Sequence, residues 1–145
     1  MAGQWAYFDT SVLVKRYVRE PGSRRARVLL RRYRFLSSAI APLEVISALV
    51  RRESAGELTK RNFSAILSRL QSDRTYWELV EVTPLVLERG EDLIQATGLR
   101  TLDAVHVASA LVFQAASGIR IPFVTGDTVQ REAAGQMALD VLWVP

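Results

Sequence analysis

Trp5-Ala6-Tyr7-Phe8-Asp9 and Phe123-Val124-Thr125-Gly126-Asp127 are short apolar runs that each end on an aspartate. A run this short, rich in aromatic and β-branched residues and closed by turn-forming residues, has the length of a buried strand rather than of a helix. Similar runs stand at 35–37, 79–82 and 141–144. Between them lie longer segments with helical spacing. The predicted helices cover 11–19, 23–33, 42–53, 59–72, 84–96, 102–116 and 128–137. Their punctuation is local. Pro21-Gly22 breaks the first, Pro42 sits in the first turn of the third, Gly56 and Gly98 end helices, and Thr101 is the expected N-cap of the sixth. Strands separated by helices predict a three-layer α/β/α fold with a mainly parallel five-stranded sheet. No repeat or linker interrupts the 145 residues, so one domain is expected over 1–145.

Composition removes several chemistries. There is no cysteine and only one histidine, His106. Disulfides, thiol nucleophiles, cysteine-bound zinc and two-histidine metal sites are therefore out of reach. A metal site built from this chain must use oxygen ligands, which favours Mg²⁺ or Mn²⁺. Neither GxxxxGK[ST] nor GxGxxG is present. No apolar run of about 18 residues is found, and the start Met1-Ala2-Gly3-Gln4-Trp5 lacks the pattern of a signal peptide, so a cytoplasmic protein without a membrane span is expected. The net charge is +4, with Lys15, Arg16, Arg19, Arg24, Arg25, Arg27, Arg31, Arg32 and Arg34 in one stretch. Such a cluster is either a solvated face or a surface for a polyanion, with Arg16, Arg19, Arg24 and Arg25 as the candidate contacts.

Four acids carry the chemical signal. In open parallel sheets, ligands bind beyond the carboxyl ends of the strands, where Asp9 and Asp127 stand. Each is equally readable as a helix cap, and Asp127-x-x-Gln130 is an imperfect capping box. Glu44 is the single charged residue between Arg34 and Arg51, and Asp103 lies in the apolar stretch 102–111. A carboxylate in such sequence requires a cation or a cage of hydrogen bonds, unless it merely complements a helix N-terminus. His106 follows Asp103 by three residues and shares its helix face, as a hydrogen-bonding support or a packed core residue. Four carboxylates in one crevice repel each other, and a divalent ion removes that penalty.

The residues Phe8-Asp9-Thr10-Ser11, Glu44, Leu102-Asp103-Ala104 and Val124-Thr125-Gly126-Asp127, in that order, resemble the PIN domain and within it the VapC toxins of bacterial and archaeal toxin–antitoxin pairs. The resemblance covers nearly the whole chain. It implies a parallel sheet between helices and a site for one or two Mg²⁺ or Mn²⁺ ions. Asp9, Glu44, Asp103 and Asp127 match the acidic set, with Asp127 the most variable position of the family. Thr10, Ser11 and Thr125 match supporting polar positions. The implied activity is RNA endonuclease cleavage by a water in line with phosphorus, leaving a 5′-phosphate and a 3′-hydroxyl. The implied partners are RNA, a second copy in a homodimer, and a cognate antitoxin whose tail fills the groove.

Two other readings belong beside this one. A non-cleaving RNA- or protein-binding module would use the basic cluster and the apolar helix face at Phe63, Ile66, Leu67 and Leu70. A carboxylate hydrolase acting on glycosides would use Trp5, Trp77 and Trp143 for stacking, but all three border predicted strands. A Ser–His–Asp triad on His106 lacks a nucleophile-elbow sequence.

Overall fold

A computed structural model describes residues 3–145; Met1 and Ala2, the first residues of the expected domain and of the expected leaderless start, lie outside the described residues. The elements alternate as anticipated. In chain order they are β1 (Trp5–Phe8), α1 (Thr10–Tyr17), α2 (Ser23–Arg32), β2 (Arg34–Ser38), α3 (Ala41–Ser54), α4 (Lys60–Arg74), β3 (Glu78–Val80), α5 (Pro84–Thr97), α6 (Thr101–Ser117), β4 (Pro122–Thr125), α7 (Thr128–Gln136) and β5 (Asp140–Trp143).

Every strand pairing is parallel, in the order β3-β2-β1-β4-β5. The chain winds outward from β1 to β3, then returns to the other side of β1. The winding reverses between β1 and β4, which opens a crevice at their carboxyl ends. Strand alternation feeds two cores. Tyr7, Leu36 and Phe123 pack against α5, α6 and α7 on one face. Ala6, Phe8 and Val124 meet α1 and α2 on the other, where a further cluster joins α1, α3 and α4. Tyr7, Phe8 and Phe123 are wholly buried, and each such side chain contributes roughly 1.5–3 kcal/mol.

Two local expectations are corrected. Thr101 is the first helical residue of α6, not its cap; Arg100 takes the cap position and makes no side-chain capping bond. Helix α1 stops at Tyr17 rather than at Arg19, because Val18 turns extended while its N–H still closes on the Val14 carbonyl. Gly126 marks a close backbone approach at the crevice. A Cβ there would lie 2.5 Å from the Val144 carbonyl oxygen, so only glycine lets β4 and β5 close at this point. No helix among the described residues is long and apolar enough to cross a membrane.

Candidate metal centre

All four acids stand at helix N-termini that open on the crevice. Asp9 is the N-cap of α1 and Asp127 the N-cap of α7. Glu44 and Asp103 lie in the first turns of α3 and α6. The capping and functional readings of Asp9 and Asp127 are thus compatible. The partial positive charge of a helix N-terminus offsets part of the cost of an anion there, and so lets several carboxylates share one end of the sheet.

Asp9 is only 2% exposed. Its Oδ2 accepts from the Ser11 N–H at 3.3 Å, from the Ser11 hydroxyl, and from the Thr125 hydroxyl at 3.0 Å. Ser11 Oγ also accepts from the Gly126 N–H, and Thr125 Oγ1 accepts from the Asp127 N–H, both at 3.0 Å. Ser11 and Thr125 therefore lock Asp9 to the β4–α7 turn. Asp127 Oδ1 is committed to the N–H groups of Val129 and Gln130. Asp103 Oδ1 accepts from Gln130 Nε2 at 2.8 Å. In each of these three aspartates one oxygen is tied by the protein, and the other accepts no protein hydrogen bond among the described residues. That pattern fits a hard cation, which the three remaining oxygens could hold.

Burial pushes the Asp103 carboxyl above its ordinary value, the Gln130 hydrogen bond pulls against this, and the charges of Asp127 and Asp9 push it up again. The aspartates thus sense each other across the crevice, a repulsion that a cation relieves.

Glu44 is arranged differently. Its Oε1 accepts from Thr10 Oγ1 at 2.7 Å and lies 2.5 Å from His106 Nε2. His106 Nε2 is in turn 3.8 Å from Asp9 Oδ1. Sequence spacing suggested Asp103 as the partner of His106, but the ring turns to Glu44, Thr10 and Tyr7 instead. Burial alone would raise the Glu44 carboxyl; the hydrogen bond and charge of His106 outweigh it and hold the group below its ordinary range. Among the described residues no three acidic or imidazole side chains are already closed around a common point. The four acids share one crevice, with Glu44 drawn toward the imidazole.

The basic cluster does not form one surface. Helix α2 runs antiparallel to the strands and spans roughly 15 Å. Arg24 and Arg25 lie at its start, where Arg25 Nε donates to the Trp143 carbonyl beside the crevice end of β5. Arg31, Arg32 and Arg34 fall at the opposite end of the sheet, where Arg34 stacks over Trp5. Arg19 is exposed, whereas Arg16 pairs with Asp73 at 3.3 Å, away from the site. A cavity of about 470 Å³ beside Ser11 and Gly126 is lined by Lys15 of that stretch together with Arg51 and Arg52, which the clustering in sequence did not single out. Gln130 was legible as a capping residue but not as the donor that holds Asp103.

The PIN domain family matches residues 6–136. The chain belongs to the PIN-domain family. It is 38% identical over 105 residues to ribonuclease VapC46 of Mycobacterium tuberculosis, a match covering 72% of each chain. Its fold resembles that of a solved toxin–antitoxin complex from Klebsiella pneumoniae, with TM-score 0.63, 20% identity and coverage of 85% of this chain and 87% of that one. It also resembles VapBC2 from Rickettsia felis, solved bound to a DNA fragment from its promoter, with TM-score 0.66, 13% identity and coverage of 98% and 100%. The five-stranded parallel sheet between helix layers is the PIN-like α/β fold.

Proposed function

We propose that this PIN domain is a Mg²⁺- or Mn²⁺-dependent RNA endonuclease and the toxin of a VapBC-type toxin–antitoxin pair, acting in the cytoplasm as a homodimer. The observation that carries the proposal is the set of three aspartates at the winding reversal, each with one oxygen tied and the other turned loose. Asp9, Asp103 and Asp127 would hold the cation, joined by Glu44. The cation supplies Lewis-acid stabilisation of the phosphate and activation of water. The protein's own residues do the positioning. Ser11 and Thr125 orient Asp9, Gln130 orients Asp103, and the α7 N-terminus orients Asp127. Arg19, Arg24 and Arg25 are proposed to hold the RNA backbone without reading its sequence.

An antitoxin is supported by the likeness to toxin–antitoxin complexes and by an exposed apolar strip of Leu43, Leu102, Ile94 and Leu87 bordering Glu44 and Asp103. A segment pairing apolar side chains with a basic one would suit that strip and the acids at its end.

The test is cleavage of defined RNAs by wild type and Asp9→Asn, with Mn²⁺, with Mg²⁺ and with EDTA. Cleavage by wild type with either metal is expected, lost in EDTA and at least a hundredfold slower in the variant. Cleavage that survives both would sink the proposal. RNA binding without any cleavage, in protein free of antitoxin, would favour the non-cleaving module. Light scattering at high concentration reads the dimer.

A further inference from the structure

Tyr7, His106 and Glu44 form a continuous hydrogen-bonded line from the core to the crevice. The Tyr7 hydroxyl lies 2.7 Å from His106 Nδ1, and His106 Nε2 lies 2.5 Å from Glu44 Oε1. A carboxylate only accepts, so Nε2 must carry the proton that closes this contact. On its other side the ring meets the Tyr7 hydroxyl through Nδ1, so both ring nitrogens are held by the protein. Tyr7 is wholly buried and His106 is 1% exposed, so neither can exchange its partner for water. Thr10 adds a second donor to the same Glu44 oxygen, at 2.7 Å. The Glu44 side chain remains 24% exposed, and its Oε2 accepts nothing among the described residues. One oxygen is thus anchored from the core side while the other stays available.

We propose that Tyr7 and His106 are positioning residues that hold the Glu44 carboxylate beside Asp9, ready to join the aspartates on a divalent cation. This rests on the metal-site reading above. Two carboxylates left alone would drift apart, and a glutamate has several torsions by which to leave. The imidazole, within 3.8 Å of Asp9 Oδ1 and bonded to Glu44, bridges the two anions. The Tyr7 hydroxyl holds the Nδ1 side of the ring, and so keeps Nε2 aimed at Glu44. Partners in this outer position commonly change metal affinity ten- to a hundredfold.

Tyr7→Phe removes that oxygen and keeps the ring stacked on Phe123, whose centroid lies 5.3 Å away. The experiment titrates purified full-length protein with Mn²⁺ by calorimetry, at one pH, for wild type, Tyr7→Phe, Glu44→Gln and the double variant. Tyr7→Phe is expected to weaken Mn²⁺ binding about tenfold in the wild-type background and to have almost no effect in the Glu44→Gln background. An unchanged affinity in Tyr7→Phe, or an equal loss in both backgrounds, overturns the proposal. Imidazole ¹⁵N spectra of the metal-free wild type need no variant to fold. They are expected to show Nε2 protonated, and an unprotonated Nε2 overturns the proposal. Coupling found in a protein that cuts no RNA supports the positioning role and overturns only the nuclease reading.

Discussion

The Thr125 hydroxyl donates to Asp9 Oδ2 at 3.0 Å, joining residues 116 positions apart. Thr125 Oγ1 itself accepts from the Asp127 N–H, so one threonine couples the carboxyl end of β1 to that of β4. Thr125→Val keeps the shape and removes both bonds. It leaves the Asp127 N–H unpaired, a cost of about 1–3 kcal/mol. We expect a lower Tm and a ten- to hundredfold weaker Mn²⁺ affinity, read by thermal denaturation and calorimetry.

Gln130 is 3% exposed, and its side-chain amide faces Asp103. Gln130→Met keeps most of the volume but removes a hydrogen bond to a carboxylate, so stability should fall by about 1.5–3 kcal/mol. Without the amide donor, Asp103 loses the hydrogen bond that opposes the upward push of burial and of its acidic neighbours. Mn²⁺ binding should weaken roughly tenfold. Unchanged Mn²⁺ affinity would show that Asp103 needs no such support.

Tyr17 donates to Asp73 at 2.6 Å, beside the Arg16–Asp73 pair. Burial raises the Tyr17 phenol well above its ordinary value of 10.0, reinforced by the hydrogen bond and the charge of Asp73 and opposed by Arg16. A raised value in the folded state means that the unfolded chain releases this proton first as pH climbs. The stabilisation from Tyr17 is complete below pH 10 and declines above it, by at most about 1.4 kcal/mol per pH unit. Urea denaturation of wild type and Tyr17→Phe should show the wild type losing stability faster above pH 10. Parallel curves would refute this.

Arg16 and Arg24 are neighbours in the basic cluster but differ in role. Arg16→Ala breaks a half-buried ion pair and should lower stability by about 1 kcal/mol while leaving the salt dependence of RNA binding unchanged. Arg24→Ala removes an exposed charge at the crevice end of α2. It should leave stability intact and reduce the slope of log affinity against log salt by about 0.7. The measurement is RNA binding in EDTA across a salt series.

Much of this protein is set by local sequence. The apolar runs closed by turn residues became strands, and the glycines at 56 and 98 follow helix ends with positive φ, because both follow from short-range sterics and patterning. The capping signals of Asp9 and Asp127 were equally local, and both residues cap. The absence of cysteine and the single histidine restricted any metal site to oxygen ligands before any fold was known. Tertiary structure alone decided the pairings: Thr125 with Asp9, Gln130 with Asp103, and His106 with Glu44 and Tyr7 rather than with Asp103. It also divided the arginine cluster between opposite ends of the sheet. The physical reason is one of range. Helix and strand preferences act over a few residues, whereas a buried carboxylate takes its partners from whatever donors the winding of the sheet brings within about 3 Å. Residues as distant as Asp9 and Thr125 meet only because β1 and β4 lie side by side.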